Sequence, residues 1–136
     1  MGQEFDTQYL SQFVSDMVGW PVHVLWGDSR HMEDGTLGEA NWEMIRMRSS
    51  LAHNNDPILP RVFFHELGHI LLHKRDMMGK EDIPQPEREK EAELFANEML
   101  LRYGDNFVWD ALKGNLSYDL QRRAKTEIMQ FADSKI

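Results

Sequence analysis

The chain has no cysteine among its 136 residues. Disulfides and thiolate metal sites are therefore excluded, and any metal must be held by imidazole and carboxylate groups. No apolar run approaches the roughly 18 residues that a membrane-spanning helix needs, so no such helix and no membrane partner are expected. The start, Met1-Gly2-Gln3-Glu4, lacks the basic and apolar regions of a secretory signal. Asp6 stands where a myristoylation motif would need Ser or Thr. Positive charge is also scarce: 15 Lys and Arg face 23 Asp and Glu, for a net charge of −8. That balance opposes binding to a phosphate backbone, so no direct nucleic-acid contact is expected. It would steer a basic protein partner instead. Repeats and low-complexity tracts are missing as well. With 41% hydrophobic and 28% charged residues, the chain reads as one domain over 1–136, of a size that supports a core, and as a cytoplasmic protein.

What the sequence does have is a histidine pair at helical spacing. Residues 65–69 read His65-Glu66-Leu67-Gly68-His69, an HExxH motif. On a helix, positions i and i+4 share a face one turn apart, so His65 and His69 can present two imidazoles to one ion. Neutral imidazole is a good donor for zinc. Glu66 lies about 100° further round the helix, off the metal and beside the water that such a site activates. The bland alternative is a pair of surface histidines. Against it, the motif is flanked by Val62-Phe63-Phe64 and Ile70-Leu71-Leu72, so the helix should be buried. Unpaired polar groups in such a helix cost about 1–3 kcal/mol each. Gly68 lies inside the helix, where glycine costs about 1 kcal/mol relative to alanine, which suggests close approach by another element.

A catalytic zinc takes three protein ligands. The extended metzincin pattern would need Gly at 72 and His at 75, where this chain has Leu72 and Arg75. His73 continues the i+4 series, but three successive turns spread over about 11 Å. It is expected to cap the end of the helix rather than share the ion with His65. The third ligand should come from a later helix over 87–102, whose buried stripe is Ala92, Phe95, Ala96 and Met99. Glu91 borders that stripe and is the expected third ligand, with Glu98 the weaker candidate. Glu89 and Glu93 are expected to be solvated.

The remaining chain supplies a scaffold. Helical spacing of apolar residues predicts a helix over 4–18, ended by Gly19 and Pro21. Alternation predicts strands over 22–26 and 42–48, with His23 outward and a turn at Gly35 and Gly38 between them. Residues 49–60 read as a loop, as do residues 74–86. Helices near 105–113 and 117–133 follow, the second capped by Ser117. The order α-β-β-α-α-α makes an α+β fold, a small zincin-like domain with a short sheet packed on helices.

The pairing of HELGH and a following Leu-His with Glu-Ala-x-x-Phe-Ala-x-Glu-x-Leu at residues 91–100 resembles the ImmA/IrrE family of metallopeptidases. The likeness runs roughly over residues 5–101, is strongest over 60–101 and leaves the helices of 105–134 unmatched. It implies zinc on His65, His69 and Glu91, with Glu66 as catalytic base. It also implies a protein or peptide substrate of regulatory type, such as a transcriptional repressor in phage or mobile-element control. Two departures stand out: Glu93 replaces a common Asn, and Arg102 follows the Leu100-Leu101 pair where proline is common. Taken together, the chain is expected to be a zinc-dependent peptidase. The rival reading is a zinc-stabilised module that sequesters a partner without cutting it. His31, His53 and Tyr103 are the candidates for stabilising an oxyanion.

Overall fold

Leu10, Phe13, Val14 and Met17 line one face of helix α1, Gln8–Val18, and are at most 6% exposed. Gly19 ends this helix in the left-handed region, φ 88°, donating its N–H to Ser15 O. That conformation carries little penalty for glycine. The structure, a computed structural model, describes residues 5–77 and 84–134. Phe5 to Thr7 precede the helix proper, so its expected start is shortened.

Three strands follow: β1 His23–Gly27, β2 Gly38–Asn41 and β3 Met44–Arg48. They form one sheet in the order β1-β3-β2, with β1 parallel and β2 antiparallel to β3. Val24, Ile45 and Met47 point to the core, and His23 and Leu25 point outward. The strand β2 departs from the expected turn around Gly38. Its four residues are all partly exposed or exposed, so apolar alternation does not reveal it. Pairing with β3 creates it. Arg48 secures the long β1–β2 connection by donating from Nε to Thr36 O at 2.7 Å and from Nη2 to Glu33 O at 2.8 Å.

The two sheet edges are treated differently. Along the β1 edge, the N–H groups of Val22, just before the strand, and Val24 donate to Ser15 Oγ and Ser11 Oγ of α1, at 2.8 and 2.9 Å. The edge is thereby shielded from pairing with another chain. The outer side of β2 instead borders a cleft against the next long helix.

A short helix α2, Ser49–His53, lies in the expected loop, anchored by buried Leu51 and Ala52. The central helix α3 spans Leu59–Met77, with Pro60 in its first turn, where a missing N–H costs nothing. Phe63, Phe64, Leu67 and Ile70 of α3 are fully buried. Each large side chain contributes roughly 2–3 kcal/mol of transfer free energy. The next helix, α4, runs Gln85–Tyr103 and packs along α3 through Ala92, Phe95, Ala96 and Met99, the expected stripe. At the crossing, a Cβ on Gly68 would stand 2.9 Å from Phe95 Cδ1, which explains the glycine inside the motif. The expected loop over 74–86 is shorter than expected, because α3 continues to Met77 and α4 begins at Gln85, while residues 78–83 lie outside the described region.

Helices α5, Asn106–Leu112, and α6, Tyr118–Asp133, close the core from the other side. Phe107 and Val108 of α5 and Ala124 and Ile128 of α6 join the same buried cluster. Ser117 caps α6 by accepting from Leu120 N–H, as expected. The fold is α+β, with a three-stranded sheet and the motif helix at its centre, compatible with a small zincin-like domain. Among the described residues, no helix is long and apolar enough to cross a membrane.

Candidate metal centre and catalytic cleft

Helix α3 places His65 and His69 on one face, 18% and 12% exposed, at the floor of a cleft of about 560 Å³. Their Nε2 atoms stand 3.2 Å apart. The carboxylate of Glu89, from the first turns of α4, spans both rings. Its Oε2 is 2.9 Å from His65 Nε2 and its Oε1 is 3.2 Å from His69 Nε2. These three residues form a donor cluster within 4.8 Å.

The expected third ligand, Glu91, is not brought to this pair. Its Oε1 lies 3.3 Å from His73 Nε2 instead. The reason is helix phase. Two residues on an α-helix turn the side chain about 200°, so Glu91 shares the side of Leu94 and Glu98, whereas Glu89 shares that of Ala92, Glu93 and Ala96. The expectation that Glu89 and Glu93 are merely solvated is corrected too. Glu93 accepts from the pair's outer side, with Oε2 2.9 Å from His65 Nδ1, while Arg61 donates to its other oxygen. The signal for both was in the sequence: Glu89 precedes Ala92 and Ala96 by three and seven residues, and Glu93 follows Glu89 by four. Glu98, the weaker candidate, accepts from Arg102 Nε at 2.8 Å.

His73, expected at the end of the helix, packs against the motif histidine one turn before it. It is 1% exposed, at a point where α3 leaves helical geometry (φ −122°, ψ 18°), and its Nδ1 is 3.2 Å from His69 Nδ1.

Glu66 is 8% exposed and faces the cleft beside Gly38 of β2. Burial pushes its carboxyl up to about 7, aided by Glu89 and Glu39 and opposed by His65. A carboxyl titrating near neutrality suits proton transfer in both directions. Burial also holds His69 below the ordinary imidazole value, against the pull of Glu89. The ring is therefore neutral at pH 7, the form that donates to a metal.

The donor set fits a zinc ion. Ligands at about 2.0–2.1 Å in a tetrahedron stand about 3.3 Å from one another. The two imidazole nitrogens, 3.2 Å apart, are close to such an edge, and Glu89 brings one carboxylate oxygen to 2.9 Å from His65 Nε2 and the other to 3.2 Å from His69 Nε2. Two imidazoles and one carboxylate also match a catalytic donor set with a position left for water.

The oxyanion candidates lie elsewhere. His31 pairs with Asp28 at 3.2 Å on an exposed loop, His53 ends α2 and is exposed, and Tyr103 donates to Glu127 at 2.6 Å. None of them lines the cleft, whereas Arg88 and Gln85 do.

Residues 51–106 match the family model for peptidase M78, the IrrE N-terminal-like domain. Over this segment the chain is similar to the M78, or ImmA/IrrE, peptidase family. The segment contains the whole of α3 and α4, and so every histidine and carboxylate of the donor cluster. Glu39 and the rest of β2, across the cleft, lie outside the matched segment. No curated protein and no solved structure matches the chain.

Proposed function

We propose that this chain is a zinc-dependent peptidase in which His65, His69 and Glu89 hold the metal and Glu66 is the general base. Similarity to a peptidase family over residues 51–106 supports hydrolysis of a protein or peptide. The observation that carries the zinc reading is the Glu89 carboxylate reaching the Nε2 atoms of both motif histidines.

When bound, zinc supplies Lewis acidity, lowering the pKa of the attacking water and polarising the scissile carbonyl. Glu66 takes the proton from that water and returns it to the leaving amine. Its position beside the histidines, with a carboxyl pushed up to about 7, suits both roles. The outer edge of β2, which borders the cleft, holds an extended substrate by strand addition. A regulatory protein such as a repressor, in the cytoplasm, is the substrate that the family resemblance suggests.

The test compares wild type with Glu66→Gln. The variant should retain zinc by elemental analysis and lose at least about 10²-fold in cleavage of a co-purified partner, since the amide cannot accept the proton. If Glu66→Gln acts on its partner as well as wild type does, catalysis is dispensable and the chain works by sequestration.

A further inference from the structure

We propose that His73 and Glu91 form a positioning pair that fixes the tautomer and orientation of His69, an inference that rests on His69 being a metal ligand. The proton positions follow from the contacts. For Nε2 of His69 to donate a lone pair to a metal, the ring's proton must sit on Nδ1. That Nδ1 is 3.2 Å from Nδ1 of His73. His69 Nδ1–H therefore donates, and His73 Nδ1 accepts. A neutral His73 then carries its own proton on Nε2, which faces Glu91 Oε1 at 3.3 Å. The carboxylate accepts it. In this arrangement each of these two contacts has one donor and one acceptor.

The reverse arrangement fails at the far end. If His73 were neutral and donated from Nδ1, its Nε2 would turn a lone pair toward the Glu91 oxygen. His69 would then hold its proton on Nε2, where a metal would have to bind.

The pair is built into the fold. His73 is 1% exposed, and the break in helical geometry falls at His73 itself. The two rings stand 5.3 Å apart between centroids. The other motif histidine has a simpler version of the same support. His65 Nδ1 meets the Glu93 carboxylate directly, and Arg61 holds that carboxylate. His69 reaches its carboxylate through an intervening imidazole. Carboxylates behind ligating histidines hold the ring and raise its basicity, and losing them costs about 10- to 100-fold in metal affinity.

The experiment measures zinc affinity by chelator competition for wild type, His73→Leu, His73→Gln, Glu91→Ala and the His73→Leu/Glu91→Ala double variant, with circular dichroism to confirm folding. His73→Leu and Glu91→Ala should each weaken zinc on the order of 10- to 100-fold. His73→Gln should recover part of the loss, because its amide oxygen accepts from His69 Nδ1–H. The double variant should be no weaker than His73→Leu alone, since Glu91 acts only through His73. Additive losses overturn the pair, as does wild-type affinity in both single variants. A long-range proton–nitrogen NMR spectrum should show His73 protonated at Nε2 and bare at Nδ1, with or without zinc. His73 protonated at Nδ1 overturns the proposal even in a protein that fails to bind zinc. Failure of wild type itself to take up zinc overturns the metallopeptidase reading.

Discussion

Gly38 of β2 lies directly against Glu66 of α3. A Cβ on Gly38 would stand 3.2 Å from both Cγ and Oε2 of Glu66, and 2.6 Å from Val62 Cγ1. The edge strand thus meets the proposed general base with no side chain between them. The strand proposed to receive substrate and the carboxylate proposed to move its protons are both set by this one close approach.

Gly38→Ala should therefore disturb catalysis without disturbing metal. The added methyl displaces Glu66 or pushes β2 outward, and displacements near 1 Å at a reacting centre cost on the order of 10²-fold in rate. Cleavage should fall on that scale, while zinc affinity stays within about twofold because the atoms nearest an added Cβ belong to Val62 and Glu66 and not to the proposed ligands. Unchanged cleavage in Gly38→Ala would show that the strand has room to yield.

Glu89 and Glu91 are separable by metal affinity. Glu89→Ala removes a donor from the proposed triad, so high-affinity zinc should be lost. Glu91→Ala removes only the outer partner of His73, and its loss should stay within the 10- to 100-fold range. The larger loss in Glu91→Ala, measured by chelator competition, would restore Glu91 as the ligand and contradict the phase of α4.

Glu93→Ala should weaken zinc about 10- to 100-fold as well, although Glu93 touches no metal. It is the acceptor for His65 Nδ1, at 2.9 Å, and the partner of Arg61. Glu93→Gln keeps an acceptor oxygen and should lie between the two. Equal affinities for wild type and Glu93→Ala would mean that His65 needs no support behind it.

The site and the fold were legible in the sequence to different depths. The motif helix, the α4 stripe and the Ser117 cap follow from patterns that span only a few residues, and local spacing decides them. The α4 carboxylate at the donor cluster depends on which side of that stripe faces α3. Ala92 and Ala96 do decide it, because two small residues let α3 approach and bring Glu89 with them. Glu91 touches the stripe on the wrong side. Strand β2 was hidden for a different reason. Gly-Glu-Ala-Asn has no β-branched or aromatic residue, so its extended form comes from pairing with β3 and from Arg48 holding the preceding loop. His73 was hidden by a change in backbone geometry at that residue, which no helical wheel anticipates.

Glu66 also predicts how the metal-free protein responds to pH. Its folded carboxyl is raised from 4.5 to about 7, chiefly by burial. A raised folded value means the group's stability is fully present below pH 4.5 and is lost as pH rises through 7. In metal-free wild type, ionising this buried carboxyl should cost on the order of 3 kcal/mol by pH 8. Glu66→Gln has no such group, so the variant should be more stable than wild type at pH 8 and nearly equal to it at pH 4. His69 acts in the opposite direction, since its lowered value removes stability as pH falls below about 6.5. It does so in both proteins and cancels from their difference. Urea unfolding from pH 4 to 8, with a chelator present, measures that difference directly. Zinc should narrow it at pH 8, because a neighbouring cation favours the ionised carboxylate. Parallel curves for the two proteins across the whole range would mean that Glu66 meets more water than its burial indicates, and the case for it as a base tuned to neutral pH would fall.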